Sequence, residues 1–175
     1  MAIDWDEVEK ENKKFKNYAP VGENYKVKCV DVEIHEVGSN GSIAQDFIFE
    51  EDKDYKYPKA THWLTFKPDK ISWRRWHNLN LMIILGADKE TAKKTIEKIE
   101  AFDDKDKIVK GYSTAYKTLI GNGKMVEIDI FADGKYTKAE FSDSSVAMPH
   151  DKKLEAVITG DEIKDDDIDL SDIAF

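Results

Sequence analysis

Between Tyr25 and Ile34 the chain alternates apolar and polar side chains with a period of two, then breaks phase once. Tyr25, Val27 and Cys29 alternate with Lys26 and Lys28, after which Val30, Val32 and Ile34 carry the apolar set. Period two is the mark of a half-buried strand. A slip of one residue reverses the face of every later side chain, and a strand absorbs it as a β-bulge that bends its path. A long bent strand can serve both sides of a small barrel, so this segment commits the chain to a β architecture built around it.

The rest of the pattern is read around that strand. Asp4 caps a short helix with acids in its first turn and Trp5, Val8, Asn12 and Phe15 along one stripe, and Pro20 and Gly22 end it. After the turn signal Ser39-Asn40-Gly41, Ile43 to Phe49 reads as a second strand. Glu50 to Lys56 is expected as a loop, and Thr61 to Lys67 as a third strand closed by Pro68. A helical block follows, with Trp76, Leu79 and Ile83 on one face, Gly86 as a stop, and Asp88 capping a stripe of Ala92, Ile96, Ile99 and Phe102. Lys107 to Ile120 is expected to be a long fourth strand. Val126 to Ile130, and Lys135 to Phe141 after the Asp133-Gly134 turn, complete the set. The expected class is mainly β with a helical insertion, in the order of a five-stranded, partly open Greek-key barrel, the OB-fold. The expected divisions are an N-terminal helical segment 1–20, a barrel domain 21–142, a linker 143–160 and a tail 161–175.

A chain of 175 residues suits one core plus a tail. The single cysteine, Cys29, leaves no disulfide framework, and no apolar run reaches a membrane span, so a soluble protein of a reducing cytoplasm is expected. The formal net charge of −9 argues at first against a nucleic-acid partner. Its distribution reverses that impression: residues 161–175 carry −6 and residues 1–160 only −3, so the body can still hold a local basic groove.

The chain closes on Asp165, Asp166, Asp167 and Ile168, then Asp172, Ile173, Ala174 and Phe175. An acidic run is ordinarily a solvated, solubilising tail, which has no need of interspersed aliphatics or a final aromatic ring. Those apolar residues favour docking: charge attracts a basic surface, and the terminal ring and carboxylate anchor in it. This ending resembles the C-terminal tip of bacterial and phage single-stranded-DNA-binding proteins, with Ala174 where the bacterial tip usually has Pro. Pro20-Val21-Gly22-Glu23-Asn24-Tyr25, entering the first strand, also resembles phage-encoded proteins of that class. The resemblance implies an OB-fold core that stacks single-stranded DNA on aromatic rings. It also implies a tail whose Asp165, Asp166, Asp167, Ile168, Asp172, Ile173 and Phe175 recruit replication or recombination proteins.

A non-specific single-strand binder needs rings for bases and cations for phosphates on one exposed face. Trp63 with Lys67 on the third strand, and Lys110, Tyr112 and Tyr116 on the expected fourth, meet that need. The alternative is that these rings pack under helices. Trp73, Arg74 and Arg75 interleave cations and rings beside a core-facing Trp76. Glu127 and Asp129, sharing an outward face with Phe131, would repel phosphate and belong away from any groove.

Other chemistry finds no support in the motifs. Gly121-Asn122-Gly123-Lys124 lacks the spacing of a phosphate loop and reads as a turn. His35, His62, His77 and His150 are scattered, with no metal-ligand spacing. No nucleophile motif is present, so neither a cofactor nor an enzymatic activity is expected. The expectation is sequence-independent single-stranded DNA binding in phage replication, recombination or repair, with a homodimer left open. The alternative is an acidic adaptor or DNA-mimic inhibitor on the same scaffold.

Overall fold

The computed structural model describes residues 2–12, 17–38 and 41–146. Helix α1 (Trp5–Asn12) leads to a two-residue strand β1 (Asn17–Tyr18) and the long strand β2 (Gly22–Val37). Strands β3 (Ser42–Phe49), β4 (Tyr55–Lys56) and β5 (Ala60–Leu64) follow. Helices α2 (Ile71–Ile84), α3 (Lys89–Glu100) and α4 (Lys105–Ile120) precede β6 (Met125–Asp133) and β7 (Tyr136–Phe141). Five strands form one antiparallel sheet in the order β5-β3-β2-β6-β7, while β1 and β4 pair as a small parallel clasp inside what reads as an N-terminal arm and a loop.

β2 bridges the sheet. Its first half pairs with β6, from Gly22 opposite Ile130 to Lys28 opposite Met125, and its second half with β3, from Cys29 opposite Phe49 to Val37 opposite Ser42. The register shifts between Cys29 and Asp31, where the hydrophobic phase slips, so the extra residue is Val30, which is left exposed. The bulge lets Val27 and Cys29 on one side of it and Val32 on the other all reach the core. The outer strands β5 and β7 approach each other, with the His62 and Phe141 ring centroids 5.5 Å apart, but no ladder joins them; the fold is a curled mixed α/β sheet rather than a closed barrel.

The expected fourth strand is a helix. Within α4 the buried side chains are Ile108, Tyr112 and Tyr116, spaced four apart on one helical stripe, and the Asp104 side chain caps the first turn by accepting from the Asp106 N–H. β-Branched and aromatic residues gave the segment a strand-like composition, but the fourfold spacing and the cap decide its conformation. Gly111 permits α4 to approach α3, since a Cβ there would lie 3.0 Å from the Ile99 side chain. The β5 ladder ends at Leu64, short of the expected Lys67, which instead opens a 3-10 turn at Pro68–Lys70. Asp88 caps α3 as expected, accepting from the Thr91 N–H.

The core fills the space between the concave side of the sheet and the helices, where Phe47 meets Tyr116 and Phe141 edge-on at 5.1 and 5.5 Å. Packing continues through Val146, the last described residue. A polar cluster lies inside it: Gln45 and Tyr116 both donate to the Asn78 side-chain oxygen, and the Asn78 amide donates to the Arg74 carbonyl. Beside them the fully buried rings of His62 and His77 share a hydrogen bond of 2.9 Å, with Trp73 stacked on His77 at 4.6 Å. Burial pushes the pKa of His77 down to about 3, and burial followed by repulsion from His77 holds His62 well below the usual range, so both rings are neutral at pH 7.

Candidate nucleic-acid interface

Alternation along β3 sends Ile43, Gln45, Phe47 and Phe49 into the core, so Ala44 and Asp46 take the convex face. The register sets their neighbours. His35 on β2 and Trp63 on β5 lie directly opposite Ala44 from its two sides, and Glu33 and Thr61 flank Asp46 in the same way. Trp63 is 39% exposed, because Ala60, His62 and Leu64 take the inward positions of its strand. Two strand spacings separate the backbones of His35 and Trp63, roughly 10 Å, and the Ala44 methyl between them is buried, so the surrounding side chains close over it.

Asp46 holds this platform together. Its carboxylate accepts from Thr61 Oγ1 at 2.6 Å, Lys59 Nζ at 2.9 Å and His35 Nε2 at 2.7 Å, and these groups cover it almost completely. Burial raises the pKa of Asp46, but the three hydrogen bonds outweigh it and keep the carboxylate below its ordinary value. The same bond raises the pKa of His35, whose ring is half exposed. A protonated His35 and Lys59 together exceed the charge of Asp46 by one, while Glu33 stands exposed on the same face. The face therefore suits an uncharged ring better than a phosphate, and phosphate contacts would fall to its rim, at Lys59 and Lys67.

The residues expected from sequence do not share one surface. Trp63 is exposed on the convex face and Lys67 is exposed just beyond its strand. Trp73 is half-buried against His77. Arg74 is buried: its Nε donates to Glu100 Oε1 at 2.9 Å, its Nη1 to the Thr65 carbonyl at 3.0 Å, and its guanidinium lies over the Phe66 ring. Arg75, also partly buried, has its Nε 3.9 Å from Glu100. Tyr112 and Tyr116 are corrected outright: both are fully buried on the inner stripe of α4, with Tyr112 donating to Glu100 at 2.7 Å and Tyr116 to Asn78. Lys110 is exposed, but on the opposite side of that helix from both tyrosines. Arg74 and Tyr112 do come together, at Glu100, as an internal brace. Asp129 accepts from the Asn24 N–H and the Ser142 hydroxyl, and Lys26 stands opposite Glu127, so that acidic face is occupied by the fold's own contacts.

The tail positions Asp165, Asp166, Asp167, Ile168, Asp172, Ile173 and Phe175 lie outside the described residues. His35, Ala44, Asp46, Lys59 and Thr61 were not singled out from sequence. Alternation marks Ala44 and Asp46 as outward, but their partners follow only from the ladder register. Among the described residues no group of three or more His, Cys, Asp or Glu is placed to hold a metal ion, and no helix is long and apolar enough to cross a membrane. Comparisons with family models, curated proteins and solved structures found no match.

Proposed function

We propose that this chain is a non-enzymatic OB-fold protein that binds single-stranded DNA without sequence preference, of the kind phages use in replication, recombination or repair. The supporting observation is the convex-face platform, in which exposed Trp63 and His35 flank Ala44 on the strands an OB-fold uses for oligonucleotides. The strand order agrees with that fold: a bent first strand shared by both halves, with helices between the third and fourth strands of the sheet. In this reading a base stacks on the exposed ring of Trp63, Lys59 and Lys67 meet the flanking phosphates, and residues 161–175 dock protein partners.

The acidic adaptor or DNA-mimic reading draws on exposed Glu33 beside Asp46 and on the net charge of −9. Titrating the protein with a labelled poly-dT strand at low and high salt, against a duplex of equal length, separates the two. Stacking predicts salt-sensitive binding to the single strand that Trp63→Ala weakens. Absence of binding at low salt by a chain lacking residues 161–175 would favour the adaptor.

A further inference from the structure

Helix α1 stands apart from the body. Every residue from Ala2 to Glu11 is exposed, Ile3 by 62% and Trp5 by 65%. A two-turn helix is marginal in water by itself. This one is held locally: Asp4 Oδ1 accepts from the Asp6 and Glu7 N–H groups, and Ile3 and Val8 occupy the two positions of a hydrophobic staple. It thus presents Ile3, Trp5 and Val8 within a segment that carries a net −4 from Asp4 to Glu11. Large exposed apolar groups within a strongly charged segment mark an interaction element, and tryptophan is the residue most enriched at interface hot spots.

A surface of opposite character lies at the bulge. A groove of about 320 Å3 runs between the bulged part of β2 and the C-terminal end of α4, lined by Lys28, Val30, Asp31, Lys117 and Ile120 among others. Val30 is exposed because the bulge ejects it, and exposed Met125 stands opposite Lys28 in the ladder. Lys28 and Lys117 form no ion pair among the described residues. The one acid, Asp31, is turned to its own backbone, accepting from the Val32 N–H at 2.8 Å. Lys28 and Lys117 around Val30, Ile120 and Met125 complement a helix of net −4 carrying Ile3, Trp5 and Val8.

We propose that α1 of one copy docks in the groove between the β2 bulge and α4 of a second copy. Helix and groove are different patches of the chain, so the contact is heterologous and repeats head to tail, giving a chain of copies rather than a closed dimer. The charges are solvent-exposed, so the association weakens with salt.

Sedimentation velocity on the full chain without DNA tests this independently of any nucleic-acid role. The wild type is expected to grow past the dimer with concentration at low salt. Trp5→Ala, which spoils the helix, and Lys28→Glu/Lys117→Glu, which spoils the groove, are each expected to weaken association at least tenfold. An equimolar mixture of the two variants should form a dimer and stop there, because only one good helix and one good groove remain. A wild type that stays monomeric, variants that associate as the wild type does, or a mixture that stays monomeric would each overturn the proposal. Circular dichroism melts check that the variants fold. Should the double substitution melt early, Lys117→Glu alone, at an exposed position of α4, takes its place.

Discussion

Trp63 and Arg74 are both an aromatic or cationic residue in a suggestive neighbourhood, and the structure gives them opposite roles. Trp63 touches little of the core, so Trp63→Ala should leave the melting temperature near the wild-type value while weakening poly-dT binding by about 1–3 kcal/mol, roughly 5- to 150-fold, in a fluorescence titration. Arg74 is the buried partner of Glu100, which also accepts from Tyr112. Arg74→Ala leaves that carboxylate buried with its main counter-charge gone, and should cost about 3–5 kcal/mol in denaturant unfolding. If Arg74→Ala instead reduced DNA affinity at unchanged stability, its assignment as an internal brace would be wrong. Alternation around Leu64 made the outward position of Trp63 legible in the sequence. The platform around it was not, since pairing His35 and Trp63 across Ala44 requires the ladder register, which depends on turn geometry at two separate connections. Arg74 misled because a cation beside two tryptophans looks the same whether its counter-charge is a phosphate or a glutamate 26 residues away.

At the level of elements, the bulge and most strands could be read because their periodicity is strong and local. The phase slip after Cys29 is a bulge at Val30, and Val126 to Ile130 and Lys135 to Phe141 fall within or close to β6 and β7. Helix α4 was read as a strand because Lys107 to Ile120 contains apolar residues at both two- and four-residue intervals, and only packing selects the set Ile108, Tyr112 and Tyr116. Its start depends on the Asp104 cap. Asp104→Ala should lower stability by about 1 kcal/mol in chemical denaturation, whereas the same change at exposed Asp103, which makes no cap, should be near neutral.

The molecule as a whole carries an acid sensitivity set by its two buried histidines. Both have folded-state pKa values below 6.5, so between pH 6.5 and about 3 the unfolded chain binds protons that the native chain does not, and stability falls as pH falls. The slope approaches about 1.4 kcal/mol per pH unit for each ring once the unfolded ring is mostly protonated, so moving from pH 6.5 to pH 5 should remove roughly 3 kcal/mol. His77→Gln should flatten that dependence in urea unfolding at the two pH values; an unchanged slope would place the sensitivity elsewhere. His35 works in the other sense, its bond to Asp46 contributing below pH 6.5 and fading as pH rises through its raised pKa. Deleting residues 161–175 should leave poly-dT affinity unchanged or higher, since it removes a net −6 that competes with phosphate for lysines. The sharing of β2 also has a consequence for synthesis on the ribosome. The half of β2 that pairs with β3 finds its partner after a short turn, whereas Gly22 must wait for Ile130. Until then the strand from Gly22 to Lys28 is a bare edge on a nascent chain, open to any neighbouring strand. Lys26 and Lys28 place two charges on that edge, which guards it during the wait.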